Sequence, residues 1–239
     1  MPDFDEQAAR SLVAVEAVVH DDKPEFGGWL QRMCRAAARH VPASGVGVSL
    51  INDDGSLLTA AASSATNVLV EELQFTLGEG PCLEAYASRG PVLVPDLSAR
   101  AATSWPAYAA AAHDYGVRAV FAFPLQVGVT RLGALDVYRA KPGELSADAL
   151  ERALAFAEVA MEELLSVQSD TDDPDWLDDI SHGGYSIYQA QGMLMVQLGI
   201  PATEALLRLR AHAFAHDRRL ADVAQDVIGR RLTLESDED

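Results

Sequence analysis

No apolar run in the 239-residue sequence approaches the roughly 20 residues that cross a bilayer. The first ten residues carry Asp3, Asp5 and Glu6 and lack the basic region of a secretory signal. Together these absences give the expectation of a soluble, cytoplasmic protein. Cysteine is scarce too, with only Cys34 and Cys82. A structural disulfide is not expected in that compartment, and no Cys-x-x-Cys or Cys/His ligand spacing suggests zinc. Both cysteines read as small buried hydrophobes; a redox-sensing thiol remains open for Cys82. Enzyme signatures are missing: there is no Gly-x-Ser-x-Gly, no Walker loop and no His-Glu-x-x-His. Of the histidines, His212 and His216 stand four apart, but no third ligand accompanies them. No catalytic residue, metal ligand or cofactor is assigned, and no receiver-type phosphoacceptor cluster is evident.

Positive charge is in short supply. The formal net charge is −18, which repels phosphates. The deficit is uneven, however. Residues 1–186 hold 12 basic and 28 acidic side chains. Residues 187–231 hold Arg208, Arg210, Arg218, Arg219, Arg230 and Arg231 against Glu204, Asp217, Asp222 and Asp226, a net of +2. One segment of the opposite sign permits nucleic acid without demanding it.

About half of the residues are apolar, 49%, enough for a proper core. The acidic stretch from Ser169 to Asp179, with Pro174 inside it, repels itself and reads as a joint. Before it the pattern mixes helix and strand. Ala8, Leu12, Val15 and Val19 form a helical stripe, and a second helix is expected from about Phe26 to His40. Gly45 to Ile51 and Ser56 to Ala61 read as a hairpin around the turn Asn52-Asp-Asp-Gly55. A short strand lies within Pro91–Pro95, and Ala119–Val127 pairs with Leu132–Tyr138. Helical patches are expected near 81–88 and 105–115. Residues 146–168 form a long helix with Ser146 as its cap. Its Leu150, Leu154, Ala157, Met161 and Leu164 follow a heptad-like spacing. That stripe either packs on the sheet or, with the one at 8–19, makes a helical bundle between two subunits. A homodimer through residues 8–19 and 147–165 is the expectation.

The stretches Leu77-Gly-Glu-Gly-Pro-Cys-Leu-Glu-Ala-Tyr86, Pro91-Val-Leu-Val-Pro-Asp-Leu97, Trp105-Pro-Ala-Tyr108 and Gly116-Val-Arg-Ala-Val-Phe-Ala-Phe-Pro-Leu125, in this order of elements, resemble a GAF domain over residues 10–168. The resemblance implies an antiparallel sheet with helices on its faces, used as a sensor pocket or a dimerising module. The Asn-Lys…Phe…Asp-Glu signature of the cyclic-nucleotide subset is not found. A small-molecule ligand, if present, is expected beside Trp105 and Tyr108, after a proline-bearing loop; alternatively both rings only pack the sheet.

Beyond the joint lie three short helices, near 186–198, 202–216 and 218–230. On the first, Ile187, Ala190, Leu194 and Leu198 share one face, while Gln189, Gly192, Met193 and Val196 fall on the other. On the second, Leu206, Leu207, Leu209, Ala213 and Phe214 make the apolar face. Arg210 falls within that arc and is expected to pair with Asp222 or Asp226; Arg208 and His212 lie opposite, near Glu204. On the third, Leu220, Val223, Ala224, Val227 and Ile228 are the buried side; Arg219 can pair with Asp222 and Asp226 with Arg230, or those arginines are solvated surface charge. The strings Ile187-Tyr-Gln-Ala-Gln-Gly-Met-Leu-Met195, Glu204-Ala-Leu-Leu-Arg-Leu-Arg-Ala-His-Ala213 and Leu220-Ala-Asp-Val-Ala224 resemble an ANTAR domain over residues 185–234. That resemblance implies binding of paired RNA hairpins and control of transcription termination. The family often has a basic residue where this chain has Gln191.

The expected class is α+β: an antiparallel-sheet GAF domain flanked by helices (1–168), an acidic linker (169–180), a three-helix ANTAR bundle (181–234) and an acidic tail (235–239). The expected RNA contacts are Gln189, Gln191, Gly192, Met193, Arg208, His212 and Arg218, with Trp105 and Tyr108 at a ligand. Two rivals remain: a helical part that binds a protein partner, and a small-molecule enzyme on the GAF fold. Phosphate contacts weaken steeply with salt, which separates RNA from protein.

Overall fold

A computed structural model describes residues 5–20, 26–51, 57–101, 104–170 and 184–234. The expected turn at 52–55, the joint from 171 onward and the tail at 235–239 lie outside the described residues. Internal contacts divide the chain into two units, Met1–Ser181 and His182–Asp239.

The first unit is built on one antiparallel sheet. Its strands are β1 (Gly45–Ile51), β2 (Leu57–Ala62), β3 (Val92–Val94), β4 (Ala119–Val127) and β5 (Thr130–Arg139), ordered β2-β1-β5-β4-β3. Side-chain alternation sorts the sheet into two faces. Phe121, Phe123, Leu125, Leu135 and Val137 join one apolar cluster with Leu30, Met33, Phe156 and Leu164. Those partners come from α2 (Phe26–His40) and α7 (Ala147–Asp170), and α1 (Glu6–His20) adds Ala9 and Val13. Val120, Ala122 and Tyr138 turn the other way, toward Val70, Ala85, Trp105 and Tyr108. These sit on or beside α3 (Ala65–Leu77), α4 (Pro81–Ser88) and α6 (Pro106–Asp114); the short α5 (Leu97–Ala101) precedes α6. Each fully buried Phe or Leu contributes roughly 1.5–3 kcal/mol, so both layers are held mainly by apolar burial.

The helix α3 was not expected from the pattern, and the reason is physical. Its inward positions Asn67, Glu71 and Gln74 are polar and buried, so the periodic apolar stripe that announces a helix is broken. Its ends did carry signals. Ser64 caps the start by accepting from the Asn67 amide, and Gly78 closes it at φ 70° in the left-handed region.

The α7 stripe largely buries inside its own unit: Ala157, Met161 and Leu164 are core. Only Leu154, 40% exposed, remains open, in a groove with Glu6, Arg10, Glu151 and Glu158.

The second unit holds α8 (Gly184–Leu198), α9 (Ala202–Ala215) and α10 (Leu220–Ile228). Its core is Ile187, Ala190, Leu194, Leu206, Leu209, Ala213, Leu220, Val223 and Val227. Two expected core residues are not in it: Leu207 and Phe214 are 63% and 70% exposed. Three helices bury a narrow stripe on α9, and those two positions fall outside it. Asp226 binds Arg218 and Arg231, at 2.7 and 2.6 Å, rather than Arg230. The chain loops back after α10, and the Arg231 amide bonds to the Asp226 carbonyl, which carries its side chain to that carboxylate.

Candidate functional sites

In the first unit a polar cluster lies buried on the α3–α6 face of the sheet. Asp136 is placed there by alternation within β5, between core residues Leu135 and Val137. Glu71 and Gln74, about one turn apart on α3, reach it from the opposite side. Tyr138 Oη donates to Glu71 Oε1 at 2.5 Å and lies 3.3 Å from Asp136 Oδ2. Gln74 Nε2 donates to the same Oδ2 at 2.5 Å, and Ser49 Oγ to Glu71 Oε2 at 2.6 Å. The Cys82 amide, in the first turn of α4, donates to Gln74 Oε1 at 2.8 Å. Glycine makes this approach possible. A Cβ on Gly47 would sit 1.9 Å from Glu71 Oε1, so only glycine lets that carboxylate lie over β1.

Both carboxyl groups are fully buried, and the bonds described to them come from neutral donors. Burial pushes Glu71 well above its ordinary value, with the neighbouring Asp136 charge adding to the shift. Burial also raises Asp136, against the hydrogen bonds from Gln74 and Tyr138, to about 7. One acceptor is left over: Asp136 Oδ1 is buried without a hydrogen-bond partner. Unmet buried polar atoms cost roughly 1–3 kcal/mol each, so they call for a reason.

Trp105 and Tyr108, the expected ligand residues, are 5% and 0% exposed and pack edge to face at 6.4 Å. A nearby groove of about 370 Å³ is lined by Leu97, Pro106, Ala109, His113, Val117 and Arg118, not by these two rings. Tyr108 instead stands in the field of Asp136 and Glu71, which, after burial, push its hydroxyl up. Glu79 holds it there. Its Oε1 accepts the Ala107 and Tyr108 amides at 2.7 and 2.9 Å, capping α6. Glu79→Ala is expected to lower the stability of the first unit by about 1–3 kcal/mol, read as a lower denaturation midpoint; an unchanged midpoint would make that cap dispensable. Cys82 is buried, and its thiol is pushed up by burial and then by Asp136 and Glu71, which favours the unreactive form. Sequence reasoning passed over Glu71, Gln74 and Asp136. The usable signal was a lone aspartate inside the apolar strand Leu132–Tyr138.

In the second unit the expected contacts fall into two stripes. Gln189, Gly192 and Met193 point away from the bundle core on α8, Gln189 exposed and the other two half-buried. Gly192 has no positive φ, and a Cβ there would meet nothing within 4 Å. Its lack of a side chain serves no turn and no packing. Gln191 is different: it is 9% exposed and donates to the Ala202 carbonyl at 2.7 Å, tying α8 to the start of α9. Arg208 and His212 share a stripe on α9, one turn apart. Arg208 pairs with Glu204 at 3.0 Å. His212 stacks on His216, with ring centroids 4.0 Å apart. Burial, then His216 and Arg218, push His212 below its ordinary value, which disfavours its charged form. Arg218 and Arg231 share one Asp226, which leaves a net positive charge at that corner. Among the described residues no cluster of three His, Cys, Asp or Glu could hold a metal ion, and no helix is long and apolar enough to cross a membrane.

The GAF domain family model matches residues 28–162, and the ANTAR domain model matches residues 185–228. No curated protein matches the sequence. Among solved structures, the GAF domain of a phosphoenolpyruvate-protein phosphotransferase from Acinetobacter is similar at 13% identity and a TM-score of 0.53, covering 70% of this chain and 95% of that one. The corresponding domain from Coxiella burnetii gives 13% and 0.53, over 69% and 97%. A phycocyanobilin-bound GAF domain from a cyanobacterial phytochrome gives 11% and 0.50, over 69% and 98%. At these identities the likeness concerns the fold alone.

Proposed function

We propose that this chain, which belongs to the GAF domain family and carries an ANTAR domain behind it, is a cytoplasmic regulator that binds RNA hairpins and controls transcription termination. The two domains are regulatory types, so the coarse reading is a sensor-regulator and not an enzyme. The finer reading rests on one observation above all. Gly192 sits in the interior of α8, on its outward face, with open space around it. Glycine there costs about 1 kcal/mol against alanine, with no return in the fold. Close approach of another surface is the return we assign to it. Gln189 beside it offers hydrogen bonds to base edges, and Arg208, His212 and Arg218 offer charge and ring faces for unpaired bases. Gln191 acts in this reading by setting the angle between α8 and α9. RNA that copurifies with the full chain and is lost with Gly192→Glu supports the reading; equal RNA on both proteins counts against this surface.

Each copy is only weakly basic, so two copies are needed to hold two hairpin loops, by effective concentration. We place the dimer contact at α1 and α7, where Leu154 stays exposed. Light scattering at micromolar concentration is expected to give twice the monomer mass, falling to one with Leu154→Glu. A monomer in both cases would remove the dimer.

A second reading is favoured by Val196, Leu207 and Phe214, which are 86%, 63% and 70% exposed. Exposed apolar groups of this size also suit a protein partner. Apolar docking tolerates salt; phosphate binding does not.

A further inference from the structure

The buried carboxyls of Glu71 and Asp136 differ in how firmly each is held. Asp136 stands on β5, the central strand of the sheet, paired with Gly47 of β1 on one side and Ala122 of β4 on the other. Glu71 stands on α3, whose C-terminal end turns into α4 through Gly78 and Gly80, both at positive φ. Of the two, only Glu71 is carried by an element that can lift. Both carboxyls touch the Tyr138 hydroxyl. Gln74, about one turn beyond Glu71, donates to Asp136 through Nε2 and accepts the Cys82 amide through Oε1. The sheet, α3 and the first turn of α4 therefore meet in one chain of hydrogen bonds, and Cys82, at its end, is fully buried.

Two carboxylates on one hydroxyl in a dry interior do not both form without water. The donors described, Ser49, Gln74 and Tyr138, are neutral, and Asp136 Oδ1 has no donor to stand in for water. The arginines of β5 are engaged elsewhere, Arg131 over the Tyr86 ring at 4.4 Å and Arg139 with the carbonyls of Gly143 and Glu144. Facing the pair are Tyr108 from α6, Tyr138 from β5 and the Cys82 thiol from α4, with Cys34 of α2 behind the sheet. Burial pushes all four up, toward their neutral forms. β1, β3 and β4 bring no titratable side chain.

We propose that the pair is a proton-operated latch: protonated, it keeps α3 and the first turn of α4 seated on the sheet, and deprotonated, it lifts Glu71 away from Asp136 and lets water reach both carboxylates and Cys82. The proton goes to solvent, and no covalent bond between heavy atoms changes. The latch stands on the geometry of the first unit and does not rest on RNA binding. Seated, the pair binds more protons than when lifted, where both carboxyls titrate near pH 4. Lifting therefore grows as pH rises.

The test follows Cys82 by its reaction with iodoacetamide in the full chain carrying Cys34→Ser. Each rate is divided by that of a free thiol at the same pH, which removes the titration of the thiol itself. The normalised rate is expected to rise by about tenfold or more between pH 6 and pH 8. It should rise less in Asp136→Asn and in Glu71→Gln, and stay flat in the double variant. Cys34 supplies the reference, because it packs on the opposite face of the sheet with Leu30 and Phe121. In a chain carrying Cys82→Ser its normalised rate should rise several-fold less, since the opening is local. No rise at Cys82 overturns the proposal, as does a rise that the double variant retains. An equal rise at both cysteines overturns it too, in favour of unfolding of the whole unit.

Discussion

Asp136→Asn is expected to make the first unit more stable at pH 8 than the wild type and to reduce its pH dependence between about 4 and 7. In the folded chain Asp136 keeps its proton up to about 7, whereas an unfolded aspartate loses it near pH 4. The folded state therefore binds more protons across that window, and stability falls as pH rises through it. Below the window both states are protonated and the effect vanishes; above it the full cost of a buried charge is present. A shift of this size corresponds to a few kcal/mol, at about 1.4 kcal/mol per unit. Asparagine cannot ionise. Its carbonyl can still accept from Gln74 and Tyr138, and its amide replaces the unpartnered Oδ1 with a donor. Glu71 rises for the same reason, so Glu71→Gln should act in the same direction. Denaturation midpoints at pH 5 and pH 8 provide the check. Parallel slopes for wild type and Asp136→Asn would mean that the carboxyl is solvated in the folded protein.

The second large effect is expected at Gly192, and it separates folding from function. Gly192→Ala should stabilise the helical unit by about 0.5–1 kcal/mol, because alanine removes the backbone entropy of glycine in a helix and its methyl meets open space. The same change should weaken RNA binding, because the methyl holds the RNA off the backbone. Gly192→Glu adds a carboxylate facing phosphates and should cost tenfold or more in affinity, about 1.4 kcal/mol. A variant that is more stable and binds less cannot be dismissed as misfolded. If Gly192→Ala binds as the wild type does, the glycine has another explanation and the contact surface lies elsewhere.

The outline of the fold was legible wherever burial is apolar. The extents of α2 and α4, and the strands β1, β4 and β5, follow from periodicity and from the Gly and Pro residues around them. The outward phase of Gln189, Gly192 and Met193 follows from the same wheel that puts Ala190 and Leu194 in the core. What escaped was burial of polar residues. Asn67, Glu71 and Gln74 look like a solvated face on paper, and only the sheet above them turns them into an interior. Gln191 escaped for a related reason: its partner is a backbone carbonyl on the next helix, which no side-chain pattern announces. Leu207 and Phe214 failed in the other direction, since apolar character does not guarantee burial.

RNA binding by the helical unit is tested most directly by a fluorescence titration of the full chain against RNAs carrying one hairpin or two, at 50 and 200 mM salt. Two-hairpin RNA is expected to bind at least tenfold more tightly than one-hairpin RNA. Its affinity should fall about ten- to fifty-fold between the two salt concentrations, as a few phosphate contacts require. Equal affinity for both RNAs with no salt dependence, or no binding at 50 mM salt, would contradict the account and leave the exposed apolar face of α9 as a protein-binding surface.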